Sequence, residues 1–158
     1  MARVFLMGND IDTDTIAPGG YLHLPLEQQM SHCLESVYPN FSHLVRVGDV
    51  VVAGENFGSG SSREQAPLIL KRLGIRMVLA KSFSRLFFRN AINVGLYPGI
   101  LKDTSAFRDG EEVQIDMENH RVISSGGQWI FMPLSGIALD IINSGGMVEF
   151  ARTMVGKN

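Results

Sequence analysis

The sequence predicts a mixed α/β fold. Two almost wholly apolar runs, at 49–54 and 77–80, are typical of strands buried on both faces of a sheet. A helical pattern follows each run, which is the order of a βαβ unit. Short alternating segments after residue 110 predict an antiparallel meander. The chain has 158 residues, the length of one domain, and we assign residues 1–158 to it.

The first third of the chain is expected to contain a strand, a loop and a helix. Apolar residues at 4–6 predict the strand, which a Gly-Asn-Asp turn ends. The polar segment 10–18 is expected to be a loop. Apolar spacing over 26–37 predicts a helix, and Pro39 closes it.

A second helix is expected at 61–73, directly after a glycine- and serine-rich segment. Ser61 and Glu64 have the spacing of a capping box, and Gly74 is a typical residue to end the helix. Pro67 would lie beyond the first turn of this helix. The pattern therefore leaves open a short kink or a later start.

The remaining elements follow in the order helix, meander, helix. Ser82 is the expected N-cap of a helix over 83–94, which Gly95 and Pro98 end. A further helix is expected at 135–143, and 147–151 continues to the C-terminus. The meander strands are expected at 112–117, 121–124 and 129–132.

Composition excludes several classes of function. The net charge is -2, with 14 basic and 16 acidic side chains, so no charge surplus favours nucleic acid or an anionic membrane. No apolar run approaches the roughly 18 residues that span a bilayer, and the first residues do not resemble a signal peptide. We therefore expect a soluble, cytoplasmic protein. The single cysteine, Cys33, excludes an internal disulfide framework and a self-sufficient iron–sulfur cluster.

The sharpest local feature is the segment NFGSGSSRE at 56–64. Unpaired N–H groups at a helix start bind anions, and glycines let a ligand approach the backbone. Arg63 adds a planar group that matches a carboxylate or a phosphate. In the same positive field Ser61 or Ser62 could act as a base. The P-loop, dinucleotide and nucleophile-elbow patterns are absent, and a turn that only caps a helix stays open as the alternative.

Several stretches together resemble the swivelling domain of the aconitase family. They are DIDTDTIAP at 10–18, GENFGSGSSREQAP at 54–67 and KSFSRLFFRNAINVGLYP at 81–98, in the family's order, and SGGMVEFAR at 144–152 resembles the ending of its short small subunits. The resemblance covers nearly the whole chain. It implies a single swivelling β/β/α domain with a mixed sheet, like the aconitase C-terminal domain.

The resemblance also implies an activity and a partner. The family dehydrates a 2-hydroxy acid, here a dicarboxylate or tricarboxylate, and rehydrates the product at the adjacent carbon. A [4Fe-4S] cluster with one open iron acts as the Lewis acid, and its cysteines lie in a separate large subunit. This chain would then be the small subunit of a hydro-lyase, binding no metal itself and active only with its partner. A homo-oligomer of the isolated chain stays open.

Site residues follow from the same resemblance. Ser61 falls on the family's catalytic serine, which removes a proton next to a carboxylate. Asp14 falls on a loop aspartate that orients groups in the site. Ser62 and Arg63 fall on contacts to the substrate carboxylates. Arg85 falls on an arginine of the KSF-x-R pattern, for which helix capping or an internal salt bridge is an equal alternative to substrate binding.

The substrate's variable group is expected to contact a four-residue segment. In the family, residues after a Tyr-Leu pair line this pocket, and here the segment is Tyr21-Leu22-His23-Leu24. Its leucines favour an isopropyl group and thus 2-isopropylmalate, an intermediate of leucine biosynthesis. Homoaconitate, which would favour an arginine there, and methyl-substituted malates stay open.

Two positions depart from the family's usual loop, GCGSSREHA. Ser59 replaces the cysteine and Gln65 replaces the histidine. Neither is the base, so the expected reaction type is kept. Two other classes stay open: a stand-alone module that binds an anion or nucleotide, and a structural subunit without a catalytic residue.

Overall fold

The strands of the protein form one curled mixed sheet. The computed structural model describes residues 1–156, so positions 157–158 of the predicted domain lie outside the described residues. The strands are β1 (Ala2–Leu6), β2 (Val50–Ala53), β3 (Met77–Ala80), β4 (Tyr97–Ile100), β5 (Glu112–Asp116), β6 (Arg121–Ser124) and β7 (Gly127–Ile130). Their order in the sheet is β4-β3-β2-β1-β5-β6-β7. The predicted mixed α/β class is confirmed.

Helices fill the connections between the parallel strands and end the chain. They are α1 (Thr13–Ile16), α2 (Leu26–Met30), α3 (Phe41–Leu44), α4 (Gln65–Leu73), α5 (Arg85–Val94), α6 (Gly136–Ser144) and α7 (Met147–Val155), with a 3-10 turn at Gly19–Tyr21. Within residues 1–156, no helix is both long enough and apolar enough to cross a bilayer.

The direction of the strands decides where the loops meet. β1, β2, β3 and β4 pair in parallel, whereas β5 pairs antiparallel with β1 and continues into the meander. Parallel strands all end at the same edge of a sheet. The segments 7–14, 54–63 and 81–85, which follow β1, β2 and β3, therefore lie together at what we call the carboxyl edge.

Both faces of the central strands are buried, which explains their uninterrupted apolar sequence. On one face Phe5 and Val51 pack with residues of α4 and α5 in the first core cluster. On the other face Val52 and Leu79 pack with Phe131 and the meander in a second cluster. The parallel strands thus lie between a helical layer on one face and, on the other, the curled part of the same sheet that β5, β6 and β7 form.

Two N-terminal predictions were wrong in detail. Segment 10–18 is not wholly a loop, because Asp12 caps the short helix α1 by accepting a hydrogen bond from the Thr15 N–H at 2.7 Å. The helix expected at 26–37 ends at Met30. Leu34 has a left-handed backbone (φ 57°), and a chain that turns there buries both Cys33 and Leu34.

Helix α4 starts later than the capping-box pattern predicts. It begins at Gln65 with Glu64 as N-cap and no side-chain cap, so the Ser61–Glu64 box is not formed. This start places Pro67 in the first turn, where a missing N–H is tolerated. Of the two alternatives left open, the later start is confirmed, and Gly74 ends the helix as predicted.

Two elements that follow β3 in the sequence also differ from their predictions. Ser84, not Ser82, caps α5 by accepting a hydrogen bond from the Phe87 N–H at 3.2 Å. Strand β4 occupies 97–100, where the sequence predicts only an exit turn. Pro98 is accommodated there because β4 is at the edge of the sheet. The three meander strands are confirmed, with β7 starting at Gly127.

Gly58 should be the most sensitive glycine of the carboxyl edge. Its φ is +81°, and a Cβ there would lie 2.2 Å from Cγ of buried Phe87. We expect Gly58→Ala to lower the free energy of unfolding by about 2–4 kcal/mol, from overpacking and left-handed strain. The control is Gly8→Ala, where a Cβ would meet nothing within 4 Å. Equal denaturation midpoints for the two variants would contradict this packing.

Candidate active site

Backbone hydrogen bonds join the three segments of the carboxyl edge. The Gly58 N–H donates to the Ile11 carbonyl at 2.7 Å, and the Thr13 N–H donates to the Ser59 carbonyl at 2.8 Å. On the other side the Phe57 N–H donates to the Ser82 carbonyl at 3.0 Å. The segment 54–63, which we call the central segment, therefore has a partner on each side, and its backbone is held as it would be in a sheet.

Ser61 lies on the outer side of this framework. Its side chain is exposed, and its carbonyl accepts a hydrogen bond from the Thr13 hydroxyl at 2.8 Å. The two hydroxyl oxygens are 3.4 Å apart. Ser62, the next residue, is also exposed. The structure thus holds the backbone of Ser61 in place and leaves both serine hydroxyls open to a ligand.

Arg63 and Asp14 form an ion pair beside these serines. Arg63 Nη1 donates to Asp14 Oδ1 at 2.8 Å and to the Ala17 carbonyl at 3.0 Å. The Gly19 N–H donates to the same Asp14 oxygen at 2.9 Å. A Cβ at Gly19 would lie 3.1 Å from Asp14 Oδ1 and 3.3 Å from Arg63 Nη2, so glycine gives the pair its room.

These hydrogen bonds determine the protonation state of Asp14. The hydrogen bond from Arg63, and then that from the Gly19 N–H, hold the pKa of Asp14 below its usual value. Asp14 is therefore a carboxylate, and it orients the guanidinium from one side. The Arg63 side chain is 22% exposed and that of Asp14 is 67% exposed. A positive group thus lies half-buried next to the exposed serines, an arrangement that can bind a carboxylate.

The predicted substrate segment, 21–24, continues directly from this pair. The 3-10 turn Gly19–Tyr21 leads into it. The Tyr21 ring stacks on His32, with centroids 3.6 Å apart and planes 3° from parallel. Leu22 packs against the first core cluster, Leu24 is half-buried, and His23 is exposed. Of the four, His23 is the side chain with most access to a ligand.

Arg85 is the least constrained of the predicted site residues. It is the first residue of α5 and is exposed. Ser84 supplies the helix cap, and within residues 1–156 Arg85 forms no ion pair. Ser84 also donates from its hydroxyl to the Gly58 carbonyl at 2.8 Å, which attaches the start of α5 to the central segment.

Sequence reasoning missed two residues that build the site. Thr13 is 3% exposed and binds both Ser59 and Ser61. Gln29 is 6% exposed and binds backbone in the substrate segment. The D-x-x-T spacing of Asp12 and Thr15 could have indicated a capped turn, and with it the position of Thr13. Gln29 gives no such signal in the sequence.

The described residues do not fit an iron–sulfur cluster. Cys33 is 1% exposed, and burial raises the pKa of its thiol well above the usual range. Residues 1–156 contain no group of three or more histidine, cysteine and acidic side chains placed to hold a metal. Cys33 therefore has the properties of a buried, unreactive thiol.

Comparison with known proteins agrees with this architecture. Residues 32–103 match the family model described as the aconitase C-terminal domain. The chain is 45% identical to 3-isopropylmalate dehydratase small subunit 1 of Archaeoglobus fulgidus, over 98% of each chain. It is 44% identical to a methanogen homoaconitase small subunit of Methanothermobacter thermautotrophicus, over 93% of this chain and 87% of that one.

A solved structure of 3-isopropylmalate dehydratase from Methanocaldococcus jannaschii superposes with a TM-score of 0.91. It is 41% identical and covers 99% of this chain and 96% of that one. The fold with its curled mixed sheet is thus shared with a dehydratase of known structure. The chain belongs to the aconitase C-terminal domain family, and the predicted family and fold class are confirmed.

The Arg63–Asp14 pair should give stability a small dependence on pH. Because the pKa of Asp14 lies below 3.8, its contribution is present above that pH and is lost as pH falls through the folded-state pKa. Asp14→Asn should destabilise by less than about 1 kcal/mol near neutral pH, since the carboxylate is mostly exposed. The difference from wild type should be smaller at a pH below 3.8 than at neutral pH, because the contribution is lost as pH approaches the folded-state pKa.

Denaturant titrations at the two pH values measure this difference. The control is Asp140→Asn, which removes an exposed carboxylate on α6 and should leave the contribution of Asp14 in place. A gap between wild type and Asp14→Asn that widens on acidification would contradict the assignment.

Proposed function

We propose that this chain is the small subunit of a hydro-lyase that converts 2-isopropylmalate to 3-isopropylmalate in leucine biosynthesis. The observation that carries the proposal is the 45% identity with a 3-isopropylmalate dehydratase small subunit over 98% of both chains. The match to a solved dehydratase structure at a TM-score of 0.91 supports it. In this proposal the whole chain, residues 1–158, acts as one swivelling domain.

The proposed enzyme needs a second subunit. Small-subunit names among the relatives imply a large subunit, to which we assign the [4Fe-4S] cluster. When bound there, the cluster would supply the Lewis acid for the substrate hydroxyl and a carboxylate. The exposed loops of the carboxyl edge are the surface that we expect to face the partner. This assignment agrees with the lack of a ligand set in residues 1–156.

Within this chain we assign proton transfer to Ser61. Elimination of water from a malate removes a proton from the carbon next to a carboxylate. Ser61 Oγ would accept that proton as an alkoxide, after giving its own hydroxyl proton to solvent. Its exposure at the tip of a rigid loop allows the contact, and the Thr13 hydroxyl at 3.4 Å is close to its oxygen. The nearby positive charge of Arg63 lowers the energy of an alkoxide and of the enediolate that forms.

We assign carboxylate binding to Arg63 and Ser62, with Asp14 as the residue that orients Arg63. The short turn in which the Arg63 N–H donates to the Ser61 carbonyl at 2.9 Å keeps base and guanidinium in one loop. Arg85, exposed at the start of α5, is available for a second carboxylate. The segment 21–24 would contact the variable group of the substrate, mainly through His23.

Homoaconitase is the second candidate function. Small subunits of methanogen homoaconitases are 44% identical to this chain, within the range of 40–45% found for dehydratase small subunits. Their substrate would carry an additional carboxylate where isopropylmalate carries an alkyl group. The segment 21–24 has no arginine, which favours the alkyl substrate.

The decisive experiment is co-expression with a large subunit, followed by anaerobic assays over a panel of 2-hydroxy acids. We expect isopropylmalate to be turned over by the complex and by neither subunit alone. Ser61→Ala should lower kcat at least ~100-fold, the usual scale for loss of a general base. Stability should change by less than about 0.5 kcal/mol, as for an exposed side chain that caps no helix.

Ser125→Ala is the matched control, because Ser125 is an exposed serine in the β6–β7 turn. It should retain wild-type kcat. If Ser61→Ala is also fully active, the chain is a structural subunit and the role of Ser61 is wrong. If the isolated chain binds an anion tightly and the complex shows no turnover, a stand-alone binding module replaces the proposed function.

Substrate preference should respond to the exposed residue of the segment 21–24. His23→Arg should shift the ratio of kcat/KM toward homoaconitate over isopropylmalate by about tenfold, the value of one charge-assisted hydrogen bond. Desolvation of the guanidinium against an alkyl group contributes to the shift. The control is His43→Arg on α3, also exposed and distant from the carboxyl edge. An unchanged ratio in His23→Arg would mean that this segment does not contact the variable group.

A further inference from the structure

Gln29 is a polar residue buried where an apolar residue would be expected. It lies on α2, facing the segment 21–24, and is 6% exposed. Its Nε2 donates to the Leu24 carbonyl at 2.8 Å and to the Leu22 carbonyl at 3.3 Å. Its Oε1 is buried and has no hydrogen-bond partner among the described residues.

These contacts fix the orientation of the amide. Both partners are carbonyl oxygens, which only accept hydrogen bonds, so only the NH2 end of the side chain can face them. Oε1 must then point the other way, into the protein interior. An amide oxygen buried without a partner is unfavourable for folding. The contribution of glutamine at this position therefore comes from its NH2 end, which holds the backbone of the segment 21–24.

The two bound carbonyls lie on either side of His23. They belong to the peptide groups that join 22 to 23 and 24 to 25. With both peptide groups held by one side chain, the backbone at His23 is restricted, and with it the direction of the Cα–Cβ bond from which the side chain starts. The Tyr21–His32 stack holds the start of the same segment. The segment is thus attached to the region after it at two points.

We propose that Gln29 is a positioning residue for substrate specificity, which holds His23 and Leu24 in the orientation that contacts the variable group. This inference rests on the proposed function for its substrate and on the contacts above for its mechanism. Gln29 itself touches no substrate in this proposal. Its replacement should change discrimination between substrates rather than the chemical step.

The first test uses the complex with its large subunit. Gln29→Met keeps the length of the side chain without its donor, and Gln29→Glu replaces the donor by a carboxylate facing two carbonyls. Both variants should lower kcat/KM for 2-isopropylmalate by about tenfold or more, mostly through KM. The value for 2-methylmalate, which has a smaller variable group, should fall less. Gln28→Met and Gln28→Glu, at an exposed neighbour on α2, should leave the ratio of kcat/KM for 2-isopropylmalate to that for 2-methylmalate unchanged.

A fall in kcat/KM by the same factor for both substrates would overturn the inference, since it would indicate a general structural role. An unchanged ratio in an active complex would also overturn it, while leaving the proposed function intact. If the wild-type complex turns over no isopropylmalate, the proposed function itself fails. In that case only the attachment of the segment by Gln29 remains to be tested.

The second test needs no enzyme activity, and its first half uses only the wild-type chain. In the isolated wild-type chain the amides of Leu22 and Leu24 donate to the Gly19 and Tyr21 carbonyls, and they should exchange with deuterium more slowly than those of the exposed turn at 125–126. In Gln29→Glu their exchange should accelerate severalfold, with no change at the turn. Wild-type exchange as fast as that of the turn would show that Gln29 does not hold the segment.

Discussion

Backbone hydrogen bonding at the carboxyl edge continues past the ends of β1, β2 and β3, and the candidate site depends on it. Ile11, after β1, pairs with the segment 54–63 that follows β2. Within that segment, Ser59 pairs back to the segment after β1 and Phe57 pairs with the segment after β3. The segments that carry Asp14, Ser61 and Arg85 are therefore extensions of the sheet rather than free loops. A site built in this way keeps its geometry without a bound ligand, as preorganised catalysis requires.

The same construction explains why glycine and small polar residues occupy the central segment. Gly58 lies directly against Phe87, and the Ser84 hydroxyl reaches the Gly58 carbonyl because no side chain intervenes. Charged groups are placed outside this frame, where Arg63 and Asp14 neutralise each other in part. The site is consequently open to solvent. Electrostatic stabilisation is weak in water, so the roles that we propose for Ser61 and Arg63 require that a partner cover this surface.

Much of this arrangement could be predicted from the sequence, because apolar runs and helix-ending glycines indicate its main strands and helices. The buried runs that became β2 and β3 and the glycines that end α4 and α5 are local signals. The errors occur where tertiary contacts override them. Leu34 turns the chain to fill the core, and Ser82 serves the loop by accepting a hydrogen bond from the Asn56 N–H. Thr13 was missed because its partners, Ser59 and Ser61, are distant in sequence. Gln29 was missed because it binds nearby backbone carbonyls, which do not depend on the residue types at 22 and 24.

The two departures from the usual family loop can be understood in these terms. Ser59 contributes its carbonyl to the Thr13 N–H, a bond that any residue type can make. Gln65 is the first residue of α4, behind the loop tip that carries Ser61 and Arg63. Since the frame is made of backbone groups, side chains at these two positions can vary without moving Ser61. In our proposal, variation in substrate should instead concentrate in the segment 21–24, whose backbone Gln29 holds.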